Sequence, residues 1–159
     1  MRIRSLRTLI YFSAGLGLIV ALFAAAEFFD VALTAICSPN TTINCATVDK
    51  SGLTTTLGVQ DWIWGIAGFV GILISAALAE RHRRDLRYAY GLLGLTTAGV
   101  GLSMYLLYVE VFRIGALCPV CASAYCFGIL AWIGALLLVR RMVAAQRAPP
   151  DVVPADAAA

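Results

Sequence analysis

Apolar residues fill four long stretches: Leu9 to about Phe29, Trp62 to Ala79, Tyr88 to Phe112 and Cys118 to Val139. Polar residues are largely confined to the segments between them. About 20 apolar residues carry an α-helix across a hydrocarbon core, and each stretch is near that length. The first blurs outward through Glu27 and Asp30 toward Ile36, which reads as an interfacial extension. Gly65, Gly68 and Gly71 in the second stretch, and Gly91, Gly94, Ala98 and Gly101 in the third, recur at close spacing. Small residues on one face let helices approach closely in lipid, so packing is their expected role. The pattern predicts an all-α fold, an integral membrane bundle of four helices over residues 1–147. A long outer loop joins helices 1 and 2, and the Pro/Ala-rich tail 148–159 is expected to be disordered.

Composition points the same way. Of 159 residues, 61% are hydrophobic and 13% charged, with a mean hydropathy of +0.87. A soluble domain is nearer half apolar and a quarter charged, so this chain could not cover a water-facing surface. Charge placement says more than the net +3. Arg2, Arg4 and Arg7, then Arg81, Arg83, Arg84 and Arg87, then Arg140, Arg141 and Arg147 all flank apolar runs. That distribution excludes a nucleic-acid stripe. By the positive-inside rule the N-terminus, the 80–87 turn and the segment after Val139 are cytoplasmic. Loop 37–61, with Lys50 against Asp49 and Asp61, and turn 113–117 then face outside. Arg2 to Arg7, an apolar stretch and Ala24 to Ala26 also fit a cleavable signal peptide. Cleavage would leave three helices without changing the side the cysteines face. Eleven Arg to one Lys, with abundant Ala, suggests a GC-rich bacterium and hence a bacterial inner membrane.

On this topology Cys37, Cys45, Cys118 and Cys121 lie on the outer, oxidising side, where an even set reads as disulfides. Cys118-Pro119-Val120-Cys121 opens the last apolar run. Proline suits the first turn of a helix, which places Cys118 at or near the N-cap. The positive end of the helix dipole favours a thiolate there, and Cys-x-x-Cys pairs often have lowered pKa values. Redox work, a structural disulfide and metal binding all remain readings of this motif. No metal is expected. His82, the one histidine, lies in the opposite turn, and the seven residues between Cys37 and Cys45 are wide for a zinc knuckle. A four-cysteine zinc site from both pairs nevertheless stays open. Ser38-Pro39-Asn40 marks a turn in the loop, so a Cys37–Cys45 bond would close a small exposed ring. An exposed pair beside one at membrane depth suggests a relay by thiol–disulfide exchange, from a protein partner toward something in the bilayer.

These residues together resemble the vitamin K epoxide reductase family, including its bacterial disulfide-generating members. The likeness rests on the loop pair Cys37 and Cys45, Ser51 six residues further on, the Cys-x-x-Cys at the last helix and Tyr125 four residues after Cys121. Asp61 stands where family members usually carry asparagine, and an ionised carboxylate cannot donate the hydrogen bond that an amide would. The resemblance implies that Cys121 is the thiol nearest a quinone, menaquinone or ubiquinone. It further implies that Cys118 exchanges with Cys45, that Cys37 meets the partner's thiol, and that Ser51, Asp61 and Tyr125 border the quinone head group. The partner would be a separate thioredoxin-fold, DsbA-like protein, since only about twenty residues follow the last run. Ser51 also reads as a loop hydroxyl, Tyr125 as part of an aromatic belt and Asp61 as a helix cap.

Cys118, Cys121 and Tyr125 are spaced i, i+3 and i+7 and so share a helix face. Trp62, Trp64, Tyr105, Tyr108 and Phe112 are expected either to wall the pocket or to form the belt. Cys126, about 140° round the helix from Cys121, reads as a packed core thiol. Glu27, Asp30 and Glu110 read as interfacial, with Glu110 also a candidate for proton uptake. The expected activity is that of a quinone-dependent thiol–disulfide oxidoreductase driving disulfide formation. Quinone or vitamin K epoxide reduction for its own sake is the alternative direction. A DsbB-type oxidase has its cysteine pairs in the reverse order. A membrane protein stapled by structural disulfides would resist reduction, and a metal carrier would hold stoichiometric metal.

Overall fold

A computed structural model describes residues 3–30, 34, 37–53, 55–56, 58–83 and 85–147. The 148–159 tail and most of the stretch toward Ile36 lie outside the described residues. In chain order the elements are α1 (Ile3–Phe29), α2 (Cys45–Lys50), β1 (Thr55–Thr56), β2 (Val59–Gln60), α3 (Asp61–Arg81), α4 (Leu86–Tyr108), a π-helical turn (Val109–Ile114) and α5 (Pro119–Arg147). The four long helices are each long and apolar enough to cross a membrane. They form a four-helix membrane bundle. Phe12, Ile19, Ile74 and Phe112 point outward from it, an arrangement that suits lipid and would be a liability in water.

Two helices run further than their apolar stretches. α1 begins at Ile3 and α5 continues past Val139 to Arg147. The added two turns after Val139 are Arg140-Arg141-Met142-Val143-Ala144-Ala145-Gln146-Arg147. These are mostly strong helix formers, and arginines suit the negative end of the dipole. Hydropathy therefore marked the membrane core and not the helix ends. The long loop is also more ordered than its polarity suggested, holding α2 and a β1–β2 hairpin in register Thr55↔Gln60 and Thr56↔Val59.

The core joins Ile10 and Ala14 of α1, Phe69 and Ile72 of α3, Leu92 of α4 and Leu138 of α5. The two tightest approaches fall at glycines other than those the spacing pointed to. A Cβ at Gly17 would run into the Phe69 ring, and one at Gly134 would sit 2.7 Å from Ile10 Cγ1. At Gly71 and Gly65 the neighbours are 3.2 and 3.4 Å away, consistent with packing. At Gly68, Gly91, Gly94 and Gly101 a Cβ would meet nothing within 4 Å, so the packing role does not hold there. Spacing along one helix cannot say which neighbour it meets.

One end of the bundle is polar. Tyr11 Oη donates to Glu80 Oε2 at 3.1 Å, Arg83 and Arg7 pair with Glu80 at 3.4 and 4.0 Å, and Asp85 caps α4 through Arg87 N–H. The cysteines gather at the other end.

Candidate active site

The loop pair reaches the last helix through the backbone. Asn40 Oδ1 accepts the N–H groups of Thr42 and Ile43 at 3.0 and 2.7 Å, turning the chain back. Leu117 N–H then donates to Thr42 O at 2.8 Å, and Asn44 N–H to Leu117 O at 3.1 Å. This short parallel bridge, Ile43↔Leu117, ties the segment before Cys45 to the segment before Cys118. Asn44 also caps α2, its Oδ1 accepting Thr47 N–H at 2.9 Å. Cys45 thereby becomes the first residue of a short helix aimed at the mouth of α5.

Cys37 and Cys45 form a disulfide, while Cys118 and Cys121 are free thiols. Cys45 Sγ lies 3.1 Å from Cys118 Sγ, and the Cys37, Cys45 and Cys118 sulfurs all lie within 4.8 Å of one another. With Cys37 and Cys45 bonded to each other, the cluster is a thiol resting against a disulfide, the arrangement that exchange requires. Cys118 is the N-cap residue of α5. Its Sγ accepts the N–H of Cys121 at 3.3 Å, in the position that a serine or aspartate oxygen takes at other helix starts. Pro119 occupies the first helical position, as its missing N–H predicts.

Cys118, Cys121 and Tyr125 all line a cavity of about 920 Å³, its open mouth included, enclosed by α1, α3, α4 and α5. The walls are mainly apolar, with Phe69, Ile72 and Leu106 among them. Glu27, Asp49 and Asp61 add carboxyl groups. Two buried polar atoms there have no partner among the described residues, Glu27 Oε1 and Trp62 Nε1. A buried donor or acceptor left unmatched costs about 1–3 kcal/mol, so both atoms mark where a polar group could be received.

Glu110 joins the two halves of the site. It is fully buried in the π-helical turn. Its Oε2 accepts Cys118 N–H at 3.0 Å and its Oε1 accepts the Tyr125 hydroxyl at 2.7 Å. Gly115, at φ 72°, closes the turn by donating its N–H to Glu110 O at 2.9 Å. A residue with a Cβ is disfavoured at that φ. π-turns widen a helix locally and recur at functional sites. Here the turn swings a carboxylate inward that the sequence had placed at the interface. The signal was present, since a carboxylate inside an apolar run is a candidate by default, but nothing local tied it to Cys118 and Tyr125.

The other singled-out residues divide. Asp61 Oδ1 accepts the N–H of Trp62 at 2.8 Å in the first turn of α3, and the residue also lines the cavity. Ser51 sits at the end of α2, donating to Val48 O at 2.7 Å and accepting Leu53 N–H at 3.2 Å, and is not among the cavity-lining residues. Trp62 and Trp64 line the cavity. Tyr105, Tyr108 and Phe112 face outward instead, as a belt would. Cys126 is exposed on the bundle surface and is not a packed core thiol. The 140° from Cys121 turns it past the helix interface rather than into it. Burial pushes the Asp49 carboxyl up to about 7, with repulsion from Asp61, Glu27 and Glu110 adding to it.

A four-helix membrane bundle carrying a disulfide against a Cys-x-x-Cys thiol defines a membrane redox protein working through cysteines. The sequence profile of the vitamin K epoxide reductase family matches residues 8–136, and the chain belongs to that family. No curated protein matches the chain. The matched region takes in all five cysteines and every residue of the cavity.

Proposed function

We propose that the protein is a quinone-dependent thiol–disulfide oxidoreductase, taking electrons from a reduced thioredoxin-fold protein and so driving disulfide formation. The observation that carries this reading is the 3.1 Å approach of Cys45 Sγ to Cys118 Sγ. In the forward direction the partner's dithiol reduces the Cys37–Cys45 bond. Cys45 thiolate then attacks Cys118 of an oxidised Cys118–Cys121 pair, releasing Cys121 as thiolate. Cys37 resolves the Cys45–Cys118 mixed disulfide, which regenerates the loop disulfide and leaves both electrons on Cys118 and Cys121. The arrangement in the structure, loop pair bonded and helix pair reduced, corresponds to the state after that transfer.

A quinone suits the cavity. The volume is apolar with a few polar groups, the general character of such sites, and the unpartnered Trp62 Nε1 offers a donor for a carbonyl oxygen. Bound there, a quinone would supply a two-electron, two-proton sink. Cys121 and Tyr125 would flank it, with Asp61 at the mouth, and the surrounding apolar wall would exclude water. Ser51 belongs to this reading as a loop residue steadying α2 beside the site. The cysteine end faces the outside of a bacterial inner membrane.

Turnover of a soluble quinone analogue by the purified chain tests the proposal. Cys121→Ala should reduce the rate to background with every donor, because no Cys118–Cys121 disulfide can then form to receive electrons from the loop pair. Cys37→Ala should lose turnover with a protein donor and keep it with a small dithiol. Normal turnover in Cys121→Ala would sink the relay.

A further inference from the structure

Tyr125 has one hydroxyl proton, and the structure commits it to Glu110 rather than to the cavity that the tyrosine lines. Glu110 accepts at both oxygens, from Tyr125 and from Cys118 N–H, and is cut off from water. A carboxylate is an acceptor only, whereas a carboxylic acid can donate. While Glu110 is ionised, Tyr125 therefore presents only an oxygen lone pair to the cavity. Once Glu110 is protonated it can donate to Tyr125, and the phenol hydrogen is free to turn inward. We propose that Glu110 is a positioning residue whose protonation state sets whether Tyr125 accepts a hydrogen bond from a hydroquinone hydroxyl or donates one to a quinone carbonyl.

This rests on the quinone reading above. One turnover moves two electrons and two protons from the Cys118 and Cys121 thiols to the quinone, closing the S–S bond and leaving a hydroquinone. Glu110 carries neither of these protons, and its bond to Cys118 N–H sets it beside the thiol pair being oxidised. Among the described residues, the titratable groups that act on it or that it acts on are Cys118 at the N-cap of α5, Cys121 and Tyr125 of α5, Asp61 of α3 and Asp49 of α2, with Glu27 of α1 beside Asp49 and no basic side chain among them. A carboxylate so surrounded changes the charge of the whole site when it titrates.

The test uses the full chain in lipid nanodiscs, a soluble benzoquinone analogue and dithiothreitol as donor. Wild type should show a titration limb in kcat. Glu110→Gln, whose amide can donate to Tyr125 permanently, should keep kcat within about tenfold, one factor of ten being about 1.4 kcal/mol, and should lack the limb. Asp49→Asn and Asp61→Asn should displace the limb without removing it. Tyr125→Phe should make Glu110→Gln silent. Independently of turnover, quenching of tryptophan fluorescence should show pH-dependent affinity for the oxidised analogue in wild type and pH-independent affinity in Glu110→Gln. Infrared difference spectra of wild type should show a carboxylic-acid carbonyl band changing between the oxidised and reduced analogue, which needs no variant to fold. A limb retained in Glu110→Gln, or no such band, overturns the proposal while leaving the quinone reading intact. Absence of quinone binding and turnover in wild type overturns both.

Discussion

Asp49 stands where α2 meets the cavity, half-buried, with Asp61, Glu27 and Glu110 as charged neighbours. An unperturbed aspartate titrates near 4, and here the carboxyl is raised to about 7. Between those values the folded chain holds a proton that the unfolded chain has released. Stability must then fall as pH rises through that window, because the unfolded state binds fewer protons. The unfolding midpoint in detergent should therefore decline from about pH 4.5 to about pH 7.5, and Asp49→Asn should flatten the decline. An unchanged slope in Asp49→Asn would assign the titration elsewhere. None of this was legible in sequence. Asp49 read there only as loop charge, because desolvation depends on what α2 is folded against. Cys118 is the opposite case. Its N-cap position followed from Pro119 alone, and the structure adds the bond from Cys121 N–H to its sulfur.

The four spanning helices were readable because burial in lipid demands long apolar runs whatever the packing. Their contacts were not. Gly134 of α5 and Gly17 of α1 face side chains across the helix interface, while regularly spaced Gly91 and Gly94 face open space. Gly134→Leu should overpack the α1–α5 seam and cost about 1–3 kcal/mol, read as a lowered unfolding midpoint. Gly91→Ala, with no neighbour to strike, should be neutral or raise the midpoint by up to about 1 kcal/mol equivalent. Equal effects from the two variants would contradict the helix arrangement. The π-helical turn, too, escaped the hydropathy pattern, which continues unbroken from Tyr88 to Phe112 while the backbone widens at Val109.

For the molecule as a whole, the proposed direction in the membrane rests on the arginine pattern and not on the bundle. On the positive-inside rule the Glu80–Arg83 end would lie in the cytoplasm and the cysteine end outside. A membrane-impermeant maleimide on intact cells should label Leu53→Cys and spare His82→Cys until the membrane is permeabilised, both positions being exposed. The reverse pattern would invert the topology and the proposed donor with it. By itself the sequence determined the solvent, the number of spans, the two cysteine pairs and the helix start at Cys118. Each of these follows from composition or from residues within one or two turns of each other. Only the tertiary structure decided that Cys45 rests on Cys118, that Glu110 binds both Cys118 and Tyr125, and that Glu27, Asp49 and Asp61 share one cavity. Those pairings join residues on separate elements, up to 73 positions apart. They are fixed by a two-bond backbone bridge, a π-turn and the close approach of helices, none of which leaves a periodic trace in the chain.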